Sequence, residues 1–166
     1  MKKELEHRFV TELEDNQNIV HKVCSLYTND KDSHNDLFQE ITIQLWKAYP
    51  KFRGDSKFST WMYRVALNTA MVYLKKKKRV VTSGIEIDER LLQRKDIVDN
   101  EEEEQIRKLY DTIKKLSDIE RGIIMLYLEG KSHEEIAEII GFTTTNVGTK
   151  IGRIKKKLKK LITNTN

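Results

Sequence analysis

The sequence predicts an all-α protein built from two small helical domains joined by a flexible linker. Three observations carry this. Apolar residues recur at three- and four-residue spacing through most of the chain, the signature of amphipathic helices. Charged residues make up 34% and hydrophobic residues 38%, which suits small modules with wet surfaces better than one deep core. Over residues 81–100 the periodicity weakens and acidic and basic residues mix, so this stretch reads as a linker between domains 1–80 and 101–166.

The elements follow in order. Residues 3–28 carry two apolar faces, Leu5, Phe9 and Leu13, then Ile19, Val20, Val23 and Leu26. The polar run Asp15 to Asn18 between them predicts a break or a bend. Ser33 is the expected cap of a helix from Asp36 to Tyr49, with Leu37, Ile41 and Leu45 along one face and Pro50 marking its end. A turn-rich loop, Lys51 to Ser59, leads to a long helix from Phe58 to Arg79, with Ser59 or Thr60 as its cap. In the second domain Glu101 to Glu104 suit a helix start by the macrodipole argument, and Ile106, Leu109, Ile113 and Leu116 form that helix's face. Ser117 to Glu120 and Ser132 to Glu135 each read as a capping box. The first opens an apolar helix from Ile119 to Leu128. The second opens a short helix with Ile136, Ala137, Ile139 and Ile140 inward. After Gly141 a last helix, about Thr144 to Leu161, faces inward with Val147, Ile151, Ile154 and Leu158.

Composition narrows the function. A net charge of +5 and a pI near 9.1 point weakly to a polyanion partner. The single cysteine, Cys24, rules out an intramolecular disulfide and sits among apolar neighbours as a structural thiol. The start of the chain lacks an apolar signal region and no run is long enough to span a membrane, so a soluble, cytoplasmic protein without membrane insertion is expected. His7, His21, His34 and His133 are scattered, none in a metal-ligand spacing, and no phosphate loop or nucleophile motif is present. No catalytic residue, metal or cofactor is implied.

Two stretches stand out. Phe58 to Arg79 begins with rings and ends with five consecutive basic residues. It reads either as a core helix with a solvated charged end or as a nucleic-acid element, with rings for unpaired bases and cations for phosphates. Residues 132–158 read as a helix-turn-helix. Ala137 allows close crossing, Gly141 a sharp helix end, and Thr145, Asn146, Thr149, Lys150 and Arg153 remain free to face a major groove. The alternative there is an ordinary helical hairpin with a basic surface.

Taken together, the stretches resemble a sigma-70 family factor of the short, extracytoplasmic-function (ECF) type over nearly the whole chain. Asp36-Leu37-Phe38-Gln39-Glu40 with Leu45-Trp46 is similar to the family helix that docks on the largest RNA polymerase subunit. Phe52-Arg53-Gly54 through Phe58-Ser59-Thr60-Trp61 to Asn68 is similar to the loop and helix that melt and read the promoter −10 element, and Leu116 to Leu158 to the −35 reader, region 4. The resemblance implies a promoter-specificity subunit of bacterial RNA polymerase, with core polymerase and promoter DNA as partners; ECF factors often have an anti-sigma factor as well, and the sequence leaves open whether this one does. It implies polymerase contacts at Asp36, Leu37, Gln39, Glu40 and Trp46. The −10 contacts would be Lys57, Phe58, Trp61, Tyr63, Arg64, Asn68, Lys75, Lys76, Lys77, Lys78 and Arg79. The −35 contacts would be Thr144, Thr145, Asn146, Thr149, Lys150, Arg153 and Lys157. Two places depart from the pattern: His34 and Asn35 stand where the family has small and acidic residues, and Gly148 and Gly152 where it has longer side chains. The runner-up reading is a stand-alone helix-turn-helix regulator of duplex DNA, which would have no use for the docking helix.

Overall fold

The computed structural model describes residues 1–82 and 101–164, and the predicted linker 81–100 lies almost wholly outside them. The chain divides into two compact units, Met1–Arg94 and Lys95–Asn166. Among the described residues every regular element is helical.

The first unit is three long helices, α1 (Lys2–Tyr27), α2 (Lys31–Ala48) and α3 (Phe58–Thr82), each packed on the other two. Helix α1 corrects the expected break. It runs straight through Asp15 to Asn18, because these residues face solvent wholly or in part and Asn16 donates to the Glu12 carbonyl at 2.8 Å. Polar side chains alone do not end a helix when neither glycine nor proline interrupts it. The cap of α2 is also corrected. Asp30, not Ser33, takes the N-cap, accepting from the Ser33 amide at 2.8 Å and its hydroxyl at 2.9 Å. Burial pushes the Asp30 carboxyl up, but those two bonds and the nearby Lys77 charge hold it below the usual carboxylate range. Pro50 sits in the first turn of a 3₁₀ segment, Tyr49–Lys51, where its missing N–H costs nothing. Helix α3 begins at Phe58, one residue before the expected caps, with the Trp61 amide bonding back to the Lys57 carbonyl at 3.1 Å. The core is built by Val20, Val23 and Leu26 of α1, Leu37, Ile41 and Leu45 of α2, and Met62, Ala66, Leu67 and Ala70 of α3.

The second unit holds α4 (Glu101–Ile113), α5 (Asp118–Leu128), α6 (His133–Ile140) and α7 (Thr144–Asn164). Helices α5, α6 and α7 pack mutually and α4 lies on α7. Ser117 and Glu120 form the complete capping box expected at α5. At α6 only half of the box is present: Ser132 accepts from the Glu135 amide at 3.1 Å, while the Glu135 carboxylate turns to the serine hydroxyl at 3.4 Å. Gly141 ends α6 at φ 87°, a left-handed conformation in which an L side chain is strained. Ile136, Ala137, Ile139, Val147, Ile151, Ile154 and Leu158 are buried as predicted, whereas Ile140 is only half-buried.

Candidate nucleic-acid interface

In the first unit, α2 and α3 leave a groove of about 620 Å³ between them. Asp36, Gln39 and Glu40 line one wall, Asn68, Tyr73 and Lys76 the other, and Ile43 and Val72 are 47% and 52% exposed along it. The structure therefore brings three of the predicted polymerase-contact residues beside two of the predicted −10 residues. Asp36 and Gln39 are exposed; Glu40 is half-buried and accepts from Gln44 at 3.1 Å. One of the predicted contacts is corrected: Leu37 is fully buried, because its spacing with Ile41 and Leu45 turns it into the core. Trp46 is half-buried, its ring 5.1 Å from that of Phe9, and it keeps part of its surface in solvent.

At the start of α3 the rings form a cluster. Phe58 lies 5.7 Å from Phe52 and 5.4 Å from Trp61, and Trp61 lies 5.1 Å from Phe52 and 6.2 Å from Tyr49. These are offset and edge-on contacts of the favourable kind. Phe58 and Trp61 are half-buried, each with part of its surface in solvent, and Lys57 beside them is exposed. Tyr63 is not part of this surface. Residues two apart on a helix point about 200° from each other, so with Trp61 at the rim Tyr63 faces the core, where it is 3% exposed. The expectation of a second stacking ring at Tyr63 is thus overturned. Tyr49 and Phe52, absent from the predicted set, complete the cluster; their placement just before a glycine-containing loop was the available signal.

Along α3, Arg64, Asn68, Lys75 and Arg79 follow helical spacing and are all exposed, as are Lys76 and Lys78. Lys77 is different. It is half-buried, its ammonium lies 5.2 Å over the Tyr73 ring, and it donates to the Ser33 hydroxyl. It ties the basic end of α3 to the cap of α2 instead of facing outward.

In the second unit Thr143 caps α7, its hydroxyl accepting from the Asn146 amide at 3.1 Å. The first turn thus presents Thr144, Thr145 and Asn146 outward, all exposed. Thr149 is exposed and its hydroxyl returns to the Thr145 carbonyl at 3.2 Å; Arg153 is exposed one turn further on. Lys156 extends this stripe at the next helical spacing, i+3 from Arg153, and is exposed, in keeping with its place on the basic outer face of this helix. Lys150 is half-buried with its ammonium 5.3 Å over the Phe142 ring. Lys157 is paired with Glu120 at 3.1 Å, and Lys155 with the Tyr127 hydroxyl at 2.7 Å. Gly148 lies where α7 crosses the start of α6: a Cβ there would sit 3.5 Å from the His133 ring.

Residues 13–80 match the family model described as Sigma-70 region 2, and residues 106–158 match Sigma-70, region 4. The chain is 32% identical over 158 residues to the ECF RNA polymerase sigma-E factor of Haemophilus influenzae, covering 88% of this chain and 82% of the relative. It is 33% identical over 153 residues to the ECF RNA polymerase sigma-E factor of Escherichia coli K12, covering 83% and 79%. Among solved structures it is similar in fold to the sigma factor RpoE in complex with the anti-sigma factor NepR from Bartonella quintana, with a TM-score of 0.74 at 19% identity, covering 94% of this chain and 97% of that one. It is likewise similar in fold to CnrH in complex with the cytosolic domain of CnrY, with a TM-score of 0.67 at 18% identity, covering 97% and 91%.

Proposed function

The chain belongs to the sigma-70 family, in its ECF group, and directs transcription initiation; from that premise we propose how its two units divide the work. The groove between α2 and α3 docks core polymerase through Asp36, Gln39 and Glu40. The exposed stripe Arg64, Asn68, Lys75, Arg79 holds the −10 strand, and the rim of the ring cluster at Phe58 and Trp61 receives an unpaired base beside Lys57. Helix α7 enters the −35 major groove with Thr144, Thr145, Asn146, Thr149 and Arg153. One observation supports this reading: the residues assigned here to docking and two of those predicted for the −10 strand line one groove of a unit that matches region 2. A stand-alone DNA-binding regulator needs no such unit.

Melting proceeds without covalent chemistry by this chain. Extruding a base costs a few kcal/mol, and stacking on an aromatic ring returns about 1–3 kcal/mol per base. Phosphate contacts from α3 supply the remainder in a salt-dependent way. The work takes place in the cytoplasm, where polymerase and promoter meet. One fold relative is seen with an anti-sigma factor and the other with the cytosolic domain of a second protein, and the first supports an anti-sigma factor as a regulator of this chain too.

Run-off transcription with core polymerase tests the reading. The parent chain should give a defined transcript. Asp36→Lys should lose core binding while keeping its helicity, and Lys57→Ala should keep core and duplex binding but show fewer permanganate-reactive thymines. Duplex binding with no transcript from any core preparation would favour the regulator instead.

A further inference from the structure

Outside both surfaces, the fold brings together two histidines that are 13 residues apart in the sequence. His21 stands on α1, three residues before the buried Cys24, and His34 in the first turn of α2. Their rings are stacked at 5.5 Å, and His21 Nδ1 lies 3.2 Å from His34 Nε2. Phe38 lies against His21 at 4.6 Å between ring centres. The backbones beneath are fixed by core residues next to each histidine, Val20 and Val23 on α1 and Leu37 on α2.

We propose that His21 and His34 form a two-ligand site for a divalent transition metal of the imidazole-preferring class, zinc or nickel. The geometry points to it. Two nitrogens each about 2.0–2.1 Å from a tetrahedral zinc stand about 3.3 Å apart, and these two stand at 3.2 Å. With the N–H of one ring donating to the other ring's nitrogen the pair forms a hydrogen bond; when a metal takes that place the donor ring loses this proton to solvent and carries one on its other nitrogen instead, the separation stays nearly the same, and the rings turn their lone pairs to one point. His21 is exposed and His34 half-buried, so the site is open to solvent. Among the described residues no third histidine, cysteine or carboxylate joins them, so water completes the coordination. Cys24 is excluded as a ligand: it is fully buried and burial pushes its thiol up to about 12. Imidazole nitrogens select zinc, nickel or copper over magnesium and calcium, which take oxygen ligands. Bound metal would cross-link the end of α1 to the start of α2, the helix that carries Asp36, Gln39 and Glu40.

The test titrates zinc chloride into the full ¹⁵N-labelled chain while histidine side-chain resonances and the heat of binding are recorded. One zinc per chain should bind, shifting His21 Nδ1 and His34 Nε2 together while His7 and His133 stay fixed. Magnesium chloride should shift neither. His21→Gln and His34→Gln should each weaken zinc binding by at least about 10–100-fold, the loss that removal of a supporting partner alone brings, with circular dichroism unchanged. Undiminished affinity in either variant, or shifts at His7 or His133 in place of the pair, would overturn the assignment and leave a stacked surface pair. The resonance and magnesium arms use the parent chain alone, so they decide the matter even if a variant misfolds.

Discussion

The same replacement, glycine to alanine, should have opposite effects at two positions of the second unit, and the backbone says which. Gly152 is inside α7 with ordinary helical geometry, and an added Cβ there meets nothing within 4 Å. Alanine in a helix interior is better than glycine by about 1 kcal/mol. Gly152→Ala should therefore stabilise this unit by about that much, raising its midpoint by about 4–8 °C for a domain of this size. Gly148→Ala should gain less, since its methyl meets the His133 ring at 3.5 Å, an ordinary contact that limits that ring's freedom. Gly141→Ala should lose. Its φ of 87° costs an L residue about 1–2 kcal/mol, against a gain of about 0.4–1 kcal/mol from the stiffer unfolded chain. The assay is thermal unfolding of the full chain followed by far-ultraviolet circular dichroism and, in parallel, by tryptophan fluorescence. Both tryptophans, Trp46 and Trp61, lie in the first unit, so a shift confined to the dichroism signal places the change in the second. A lower midpoint for Gly152→Ala, or a higher one for Gly141→Ala, would refute the backbone argument at that position.

Further outcomes follow from the same geometry. Glu120 should show opposing effects on stability and DNA binding. Partial burial pushes its carboxyl up, but hydrogen bonds from Ser117 and Lys157 outweigh this and hold it below the usual range. Its stabilising contribution is complete above the ordinary carboxylate pKa of about 4.3 and fades as pH falls through the lower folded value. Glu120→Gln should thus lower the midpoint at pH 7, with the gap to the parent closing in acid, while duplex affinity rises because Lys157 is released. Arg153→Ala should cost about 1–3 kcal/mol of discrimination between −35 sequences if the guanidinium reads a base, measured by competition binding; a loss equal for all sequences marks a phosphate contact. Tyr49→Phe should cost about 1 kcal/mol in denaturant unfolding, since the hydroxyl donates to Glu12 at 2.7 Å and both that bond and burial push the phenol up to about 12. Cys24 should resist a thiol reagent at pH 8 in the folded chain and react on unfolding, because the thiol is buried and scarcely ionised there.

The helices and their inner faces were legible because burial imposes a 3.6-residue period on the sequence. Val147, Ile151, Ile154 and Leu158 could be read directly, and each is buried. Tyr63 was misread for a related reason: chemical character suggested a stacking ring, but the period it shares with Met62, Ala66 and Leu67 places it inside. Caps were less legible. Asp30 and Ser33 are both good N-cap residues, and only the backbone at Asp30, φ −139° and ψ 163°, decides between them. Contacts across elements were illegible altogether. Nothing in the spacing of His21 and His34, or of Lys77 and Ser33, marks them as neighbours, since that proximity comes from how α1, α2 and α3 pack.

The same limit governs how many cations can act on DNA. By sequence α7 has a basic outer face from Lys150 to Lys157, and α3 an unbroken basic end. In the folded chain Lys150 rests over Phe142, Lys155 bonds to Tyr127, Lys157 to Glu120 and Lys77 to Ser33. A cation that already has a protein partner must exchange it to reach a phosphate, and the exchange offsets part of the gain. These four should add less to affinity than the exposed Arg153, Lys156, Lys75 and Lys76. If each lysine made a full phosphate contact, each would add about −0.9 to the slope of log affinity on log salt. The slope for duplex binding should therefore fall short of what a count of lysines on α3 and α7 gives. Lys156→Ala should flatten it, whereas Lys155→Ala should leave it nearly unchanged while weakening the contact between α7 and α5. Equal changes from the two variants would mean that the pairs seen in the free chain dissolve on DNA, and that sequence count, not structure, sets the electrostatics.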